Sequence, residues 1–356
     1  GHRHVVGLSG DLHTYARYES ADGRQRFVAG GGGAYLFPSH PLPERLALPT
    51  APAVHQQEPE PFALGRSGVE GRPALFPPPG ASRGLAARVL LFPRFNPGLS
   101  LFVGGVYLFL AWLLQSGSKT LNGGVGPEGG SLLEALAAGL PGPETLALFF
   151  DSVTHAPLAF LTVLVLFGGL VAFADCTGWR RGLLGLAHGA VHIVVLLLLT
   201  WAFAQVNLDG LGLAEDGLVQ VFLFAAEMVV VGGMVGGLVF GVYLYLSHVL
   251  MGVHDNEVFA AQSIPDYKHV VRLRIDRRGG LTVFPIGIER VPKEWRYRPR
   301  ADVGEAWFEP EGEPVAARAV LIEPPVRVAH GAAAGAGSPP SAGDGEFTGS
   351  PSAARG

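Results

Sequence analysis

Two polar side chains follow a short apolar run near the start of the sequence. Asp11 and His13 stand in the segment Gly10-Asp11-Leu12-His13, directly after the run from Val5 to Leu8. Carboxylate oxygens and neutral imidazole nitrogens are ligands for divalent cations, and a loop at the end of a strand can hold them rigidly. The pattern is therefore compatible with a metal site. On spacing alone, a capping aspartate and a surface histidine are the favoured interpretation.

A run of four glycines, residues 30–33, follows a second apolar segment. The backbone N–H groups of Gly31 and Gly32 could approach a phosphate closely, because glycine has no side chain in the way. A tight turn between a strand and a loop explains the run equally well. His40 lies shortly after this run and is a candidate for contacting a substrate, with an ordinary loop histidine as the simpler interpretation.

Ionisable residues also occur within apolar segments later in the sequence. His188 and His192 are four residues apart and would share one face of a helix, and Glu227 lies in the following apolar segment. Such groups are costly inside a membrane and so suggest a function. With Asp151 or Glu227, the two histidines could form an intramembrane metal hydrolase. Small residues surround the pair, so close helix packing, with histidine hydrogen bonds to the backbone or to Glu227, is the favoured alternative.

The composition excludes several classes of protein. Of 356 residues, 48% are apolar and only 16% are charged, and the mean hydropathy is +0.32. This profile excludes a disordered chain and argues against a wholly soluble enzyme. Cys176 is the single cysteine, so no internal disulfide can form. The net charge of −4 gives no indication of nucleic-acid binding.

Four apolar segments have the length and composition of membrane spans. They cover roughly residues 98–115, 156–174, 182–206 and 218–250. At a rise of about 1.5 Å per residue, about 18 to 20 residues cross a hydrocarbon core of about 30 Å. The sequence therefore predicts a four-helix transmembrane bundle within residues 96–252. Glycine pairs at 232–233 and 236–237, followed by Gly241, predict close contacts between helices.

Basic residues beside the apolar segments indicate the orientation of the chain. Lys119 is the one basic residue on one side of the predicted membrane, whereas the other side has six: Arg83, Arg88, Arg94, Arg180, Arg181 and Lys268. Cytoplasmic loops carry the excess of basic residues in membrane proteins. The regions before and after the spans are therefore expected in the cytoplasm, in a multi-pass protein of the inner or plasma membrane. An even number of spans agrees with this arrangement.

The regions outside the spans have their own patterns. Residues 1–45 contain short apolar runs around a turn at 21–23, which is typical of strands. Residues 46–95 are predicted to be a proline-rich linker with a short amphipathic helix near the membrane at 85–92. Residues 253–328 are predicted to form a small cytoplasmic β-rich region, with a hairpin spanning 269–288 and a further strand at 319–322. The composition of residues 329–356 predicts a disordered tail.

Motifs on both sides of the predicted spans resemble one protein family. Those before the spans are Gly10-Asp11-Leu12-His13-Thr14-Tyr15-Ala16-Arg17-Tyr18 and the segment from Ala29 to His40; those after them include His254-Asp255-Asn256-Glu257 and Val291-Pro292-Lys293-Glu294-Trp295. Together they resemble the C-terminal end of the calcineurin-like metallophosphoesterases, in a membrane-attached branch found in bacteria and plants. The resemblance covers roughly residues 5–40 and 85–300.

The resemblance implies a hydrolase of phosphate esters that uses two divalent metal ions, Mn, Fe or Zn, on a four-layered αββα fold. Residues 1–45 would be the last strands of that fold. Family members carry a late Gly-His-x-His motif that binds metal. His13 would therefore be a metal ligand, and Asp11 stands where the family has its first histidine. Gly31, Gly32 and His40 would contact the substrate.

The resemblance also limits what this chain would do alone. The earlier metal-binding motifs that complete the site in the family are not found here, and the sequence opens at Gly1 without the pattern of a signal peptide. We therefore expect a fragment or processed product that is inactive by itself. Its parent would be a phosphoesterase anchored in the lipid bilayer, acting on a phosphate ester at the membrane surface. A non-enzymatic membrane scaffold with a degenerate phosphoesterase remnant is the alternative, because Asp11 replaces a histidine.

Overall fold

The computed structural model is a mixed helix and sheet structure. It describes residues 5–33, 35–48, 59–67, 70–120, 131–139, 142–299, 305–312 and 314–328. The predicted disordered tail at 329–356 lies outside the described residues. Apolar helices occupy the middle of the chain, and β-strands precede and follow them.

Eight short strands precede the first long helix. They are β1 Val6–Ser9, β2 Tyr15–Ser20, β3 Gln25–Ala29, β4 Arg45–Leu48, β5 Glu60–Leu64, β6 Arg66–Ser67, β7 Arg72–Pro73 and β8 Leu75–Phe76. Six of them form one sheet in the order β1-β3-β2-β5-β4, with β8 on the edge of β2. β1 and β3 are parallel, and β2 is antiparallel to β3. The predicted strands and turn within residues 5–29 are confirmed.

Part of the predicted proline-rich linker is ordered as sheet. β5 pairs with both β4 and β2, and its Phe62 is 1% exposed. The Arg26 guanidinium lies 5.0 Å from the centre of the Phe62 ring, which adds a cation–π contact to the buried apolar surface. Composition does not reveal this pairing, because one buried aromatic and long-range backbone hydrogen bonds order a segment that has no periodicity of its own.

Ten helices lie in the described middle and late parts of the chain. They are α1 Pro79–Ala87, α2 Phe92–Phe95, α3 Pro97–Thr120, α4 Leu132–Ala137, α5 Pro143–His155, α6 Pro157–Phe173, α7 Trp179–Ala204, α8 Leu218–Glu227, α9 Gly233–Met251 and α10 Asp255–Ala260. Single π-helical turns extend α7 to Gly210 and join α8 to α9. The predicted juxtamembrane helix at 85–92 begins earlier, at Pro79, because proline suits the first turn of a helix.

Three of these helical segments are long and apolar enough to cross a membrane, namely Pro97–Ser118, Trp179–Gly210 and Leu218–Met251. The remaining predicted span, at 156–174, corresponds to α6, which has 17 residues and meets α5 at a bend of 104°. The described segments therefore number three candidate spans, or four if the bent pair counts as one. Large apolar side chains such as Phe102 and Phe222 are exposed on their surfaces, as lipid contact requires.

Glycines set the closest approach between these helices. A Cβ on Gly104 of α3 would lie 2.2 Å from the carbonyl oxygen of Val229, and a Cβ on Gly233 of α9 would lie 2.5 Å from that of Ser100. A Cβ on Gly241 of α9 would lie 2.6 Å from the carbonyl oxygen of Val89. The predicted small-residue contacts are confirmed, because any side chain at these positions would push the backbones apart.

Six strands follow the helices. They are β9 Lys268–Ile275, β10 Leu281–Ile288, β11 Trp295–Tyr297, β12 Phe308–Pro310, β13 Ala319–Leu321 and β14 Val326–Val328. The predicted hairpin is confirmed as β9 and β10, and the predicted strand at 319–322 as β13. β10 is central, since it pairs with β9 along one side and with β13 and β14 along the other.

The sheets before and after the helices pack against each other. Tyr15, Phe76 and Val283 are buried in one cluster, with Ile322 and Val326 against it. Residues 1–45 and 253–328, which the sequence analysis treats as separate regions, therefore share a core. The two ends of the described chain meet on the same side of the helices.

A buried carboxylate fixes this packing. Glu323 is 3% exposed and accepts hydrogen bonds from Arg17 Nε, at 2.9 and 3.0 Å, and from the Tyr15 hydroxyl at 2.5 Å. Burial, together with the Glu323 carboxylate, raises the pKa of Tyr15 well above its ordinary value. The hydroxyl is therefore protonated and acts as the donor.

A second polar contact joins the glycine run to β9. The N–H of Gly31 donates to Nε2 of His269 at 3.1 Å, and His269 is 1% exposed. A Cβ on Gly31 would lie 2.1 Å from the ring, so only glycine fits. Burial, with the Lys268 ammonium as a second cause, lowers the pKa of His269 to about 4. The neutral imidazole is thus the form that accepts the Gly31 hydrogen bond.

We expect Glu323→Gln to lower the free energy of unfolding by about 3–5 kcal/mol, because the buried Arg17 guanidinium loses its charged partner. Thermal unfolding in detergent, followed by circular dichroism, measures the loss. The matched control is Glu19→Gln. Glu19 binds the same guanidinium at 3.0 Å, but its side chain is 47% exposed, so its loss should stay below about 1 kcal/mol. Equal losses in the two variants would contradict this account.

We also expect His269 to make stability depend on pH. Its pKa of about 4 in the folded state lies below the value of about 6.5 expected when unfolded. The unfolded state therefore binds more protons between these values, so the contribution is complete above about pH 6.5 and is lost as the pH falls towards 4. The loss is about 3 kcal/mol at most. Unfolding midpoints measured from pH 7 to 4 should fall more steeply for the wild type than for His269→Gln, and parallel curves would refute the assignment.

Candidate functional site

The two loops that the sequence singles out, residues 10–13 and 30–33, lie side by side. They follow β1 and β3, which are parallel neighbours, so both loops leave the sheet at the same edge. A Cβ on Gly30 would lie 2.2 Å from the carbonyl oxygen of Gly10 and 2.6 Å from that of Leu12. The backbones are therefore in direct contact. The structure thus brings the predicted metal-binding loop next to the predicted phosphate-binding loop.

His13 and Asp11 have different surroundings within the first loop. His13 is half-buried, and its ring packs edge-on against Tyr35 with the ring centres 4.7 Å apart. Its carbonyl oxygen accepts the N–H of Phe37 at 3.3 Å. Asp11 is exposed. The fold therefore holds the His13 backbone and ring, while the Asp11 carboxylate faces solvent.

The donor atoms at this loop suit a divalent metal but do not complete a site. The described residues contain no group of three or more His, Cys, Asp or Glu side chains that could hold a metal ion. Catalytic zinc sites in proteins use three protein ligands. Asp11 and His13 would thus supply at most two ligands, and the described part of the chain does not fit a two-metal centre by itself.

In the glycine loop at 30–33, one backbone N–H that a phosphate would need is already used by another residue. The Gly31 N–H is already bonded to His269, so it is not free to bind a phosphate in this structure. A Cβ on Gly32 would meet no atom closer than 3.9 Å. The loop is therefore closed at Gly31, where it serves as a tight turn against β9, and uncrowded at Gly32.

His40 lies in a chain of four hydrogen-bonded side chains. Its Nδ1 is 2.8 Å from the Ser82 hydroxyl of α1, and its Nε2 is 3.0 Å from Nε2 of His248, near the end of α9. His248 Nδ1 is in turn 2.6 Å from the Asp255 carboxylate. This chain links four elements, namely the loop before β4, helix α1, the end of helix α9 and the start of helix α10. His40 is thus a half-buried residue held by polar contacts on both ring nitrogens.

The carboxylate fixes one proton position in this chain. An ionised carboxylate only accepts hydrogen bonds, so His248 donates from Nδ1 to Asp255. In the arrangement with a neutral His248 imidazole, its Nε2 accepts from His40 Nε2, and His40 Nδ1 accepts from the Ser82 hydroxyl. Burial lowers the pKa of His40 to about 4, with smaller contributions from His248 and Arg83. The neutral form that this pattern requires is therefore the stable one.

Sequence reasoning identified His40 but not its partners. His248 and Asp255 are seven residues apart, and Gly252 between them ends α9 in the left-handed conformation with a φ of 63°. That turn folds Asp255 back towards the last helical turn. A glycine closing an apolar helix, with a histidine before it and an aspartate after it, was the available signal. Nothing local in the sequence links them to Ser82.

The two histidines of α7, His188 and His192, are bonded to each other, and His192 is also bonded to a tyrosine. His192 Nε2 is 3.0 Å from His188 Nε2, and His192 Nδ1 is 2.5 Å from the Tyr107 hydroxyl. The ring of His188 stacks on Tyr243 at 3.9 Å, and the Tyr243 hydroxyl is 3.0 Å from His254 Nε2. A row of polar and aromatic side chains thus runs from α10 into the helices.

Of the two acidic residues considered as partners of these histidines, Glu227 has another side-chain contact and Asp151 makes a backbone contact within its own helix. Glu227 accepts a hydrogen bond from the Asn207 side chain at 2.8 Å. The backbone carbonyl of Asp151 bonds to His155 at 2.9 Å within α5. The predicted bond between a histidine and Glu227 is therefore not the one formed. The polar side chains pair within neighbouring turns and helices, as close packing would place them.

Comparison with known proteins provides no assignment. No family model matches the sequence. No curated protein and no solved structure matches it either. Its function is therefore inferred from the chemistry of its own residues and their contacts.

Proposed function

We propose that this chain is part of a membrane-anchored metallophosphoesterase, a hydrolase of phosphate esters that depends on two divalent metal ions, and that it contributes metal ligands from the loop at 10–13. One observation carries the proposal. The loop with Asp11 and His13 and the glycine loop at 30–33 meet at the carboxyl ends of the parallel strands β1 and β3. Ligand sites in sheets with parallel strands form at that edge. The resemblance of these segments to the family supports the same assignment.

His13 would bind a metal through its imidazole, and Asp11 would bind a metal or orient a water. Two such ions, when bound, polarise a phosphoryl oxygen and activate a water for in-line attack. The remaining ligands would come from outside the described residues. The earlier metal-binding motifs of the family are not found in this sequence, so we expect no phosphoesterase activity from this chain alone. Tyr35 positions the His13 ring, and the uncrowded backbone at Gly32 leaves room for a substrate.

The substrate of this enzyme would lie at the membrane surface. Phe37 bonds to the backbone of His13, and His40 three residues later bonds to the end of α9. Three residues span at most about 11 Å, so the proposed catalytic loop and the membrane helices are close neighbours. A phosphate ester attached to a membrane component would therefore reach this loop without moving far from the membrane surface.

We further propose four membrane crossings with both sheets in the cytoplasm. The sheets before and after the helices share Glu323, so they lie on one side of the membrane and the number of crossings is even. Three long helices alone would give an odd number, so the bent pair of α5 and α6 would supply the fourth crossing. The excess of Arg and Lys beside this face supports a cytoplasmic location.

A non-enzymatic scaffold is the second candidate. Asp11 stands where the family has a histidine, and the Gly31 amide is bonded to His269 instead of being free for a phosphate. Both features fit a loop that has kept its backbone structure but does not bind metal or phosphate.

Activity of the protein made from its complete reading frame decides between these candidates. We expect bound transition metal and phosphoesterase turnover in the wild type. His13→Ala should lose more than the 10- to 100-fold that a residue supporting a ligand costs, because a ligand itself is removed. His155→Ala is the matched control, since His155 is an exposed histidine on α5 and should leave turnover unchanged. The measurements are metal content and hydrolysis of a chromogenic phosphate ester.

Three results would count against the proposal. Absence of metal and turnover in the wild type would favour the scaffold. Unchanged turnover in His13→Ala would remove the role of the loop. Loss of turnover in His188→Ala but not in His13→Ala would place catalysis at the histidine pair within the membrane.

Labelling from one side of sealed vesicles tests the four crossings. Cys176 follows α6, and with four crossings it lies on the same side as the sheets. A membrane-impermeant maleimide should therefore label native Cys176 from the side of the sheets. In a Cys176→Ser background, it should label Ala21→Cys from that same side and Leu211→Cys only from the opposite side. Ala21 is exposed in the turn after β2, and Leu211 is 59% exposed after α7. Labelling of Cys176 from the side of Leu211→Cys would exclude the arrangement.

A further inference from the structure

A cavity of about 350 Å³ lies where the first sheet meets the membrane helices. Its polar lining consists of His40, Arg83, Tyr245 and His248, and its apolar lining includes Ala86 and Val249. The volume falls within the range of small-molecule sites. Three separate elements build it: the loop before β4, helix α1 and the last turns of α9. It is therefore a formed site and not a surface depression on one element.

The lining of this cavity is suited to an anion. Arg83 carries a permanent positive charge, and guanidinium groups bind phosphate through paired hydrogen bonds. The lining residues include no carboxylate. Asp255, a carboxylate that acts on His40, is bonded to Nδ1 of His248 and does not line the cavity.

The histidine pair can take up a proton without moving. In the neutral state Ser82 donates to His40 Nδ1, and rotation of its hydroxyl hydrogen lets Ser82 accept instead. His40 could then carry both protons while still donating to His248. The charged groups facing His40 are Arg83 from α1 and Asp255 from α10, with His248 from α9. An anion in the cavity would favour this protonated state, because it offsets the positive charge.

We propose that this cavity binds the phosphate group of a membrane lipid. The lipid source follows from position, since Tyr245, His248 and Val249 belong to the last two turns of a helix long enough to cross a membrane. A phosphate at the level of these residues can remain attached to acyl chains in the bilayer. Arg83 binds the phosphate, the bound anion favours uptake of a proton from solvent by His40, and the apolar residues contact the glycerol backbone. The site binds without hydrolysing, so it does not depend on the proposed function.

Binding of three related compounds to the full chain in detergent tests the proposal. The compounds are dioctanoyl phosphatidic acid, dioctanoylglycerol, which lacks the phosphate, and inorganic phosphate, which lacks the lipid. EDTA is present so that no metal-dependent turnover interferes. Isothermal titration calorimetry should show phosphatidic acid binding at least about tenfold more tightly than either other compound. Equal binding of inorganic phosphate would overturn the lipid assignment, and equal binding of dioctanoylglycerol would overturn the phosphate assignment.

Two variants with a matched control identify the site. Arg83→Gln should weaken binding of phosphatidic acid about tenfold, because a charge-assisted hydrogen bond is lost. Tyr245→Phe removes one hydroxyl from the lining and should weaken binding several-fold with little effect on folding. Arg94→Gln removes the same charge from an exposed position outside the lining and should change binding less than about twofold.

An equal effect of Arg83→Gln and Arg94→Gln would show general attraction of anionic lipid to a basic surface, and would overturn the site. The outcome is independent of the phosphoesterase assay. Binding without turnover would leave the cavity as a lipid site on a non-catalytic protein. Turnover that depends on His13 without binding here would retain the proposed enzyme and remove this site.

Discussion

The contact of Tyr15 and Arg17 with Glu323 joins the two ends of the described chain. Buried ion pairs add little net stability when they are intact, because removal of water from both charges offsets their attraction. They restrict the structure instead, since a buried Arg17 guanidinium without Glu323 is strongly unfavourable. Glu323 has only one position at which it bonds to both Tyr15 and Arg17. The second sheet is therefore fixed in register against the first, although more than three hundred residues separate the partners.

That contact also constrains the helices. A chain whose first and last sheets touch must return to the side from which it entered the helical region. In the four-crossing arrangement proposed above, α6, too short to be counted alone, would cross together with α5, which it meets at a sharp bend. Arg181 bonds to the carbonyl oxygens of Val171 and Ala172 near the end of α6, before α7 begins. A charged side chain thus satisfies carbonyl groups at the end of this short helix.

The sequence predicted those features that depend on local pattern. Alternation around Gly279 and Gly280 located the β9–β10 hairpin, and apolar length located the long helices. Glycine pairs predicted close contacts between helices, and the structure shows that Gly233 of α9 makes such a contact with α3. Features that depend on distant partners were not predictable. β5 is ordered by pairing with β2, and Glu227 bonds to Asn207 instead of to a histidine, because the helices place those two residues together.

The candidate site shows the same division. The motif at 10–13 could be recognised, as could the glycine run, and their adjacency follows from parallel strands that a single sequence does not reveal. The partners of His40 could not be found, because Ser82 and His248 lie in two different helices and no spacing in the sequence relates them. The buried neutral His269 was likewise hidden, since its partner is a backbone N–H and no side chain signals it.

A short segment, residues 36–40, determines how the proposed catalytic loop is placed relative to the membrane. Leu36 is 1% exposed and packs with residues of α1 and α9, Phe37 bonds to the backbone of His13, and Ser39 bonds to Pro77. His40 bonds to His248, so Leu36, Phe37, Ser39 and His40 are each held by contacts outside the segment. Moving the loop would therefore require breaking contacts to both the helices and the sheet. In the membrane arrangement proposed above, these contacts would hold the loop at one height above the bilayer, whereas a flexible linker would let it sample many heights. A substrate held at that height would meet a preorganised site, whereas a freely diffusing one would gain nothing from the anchoring.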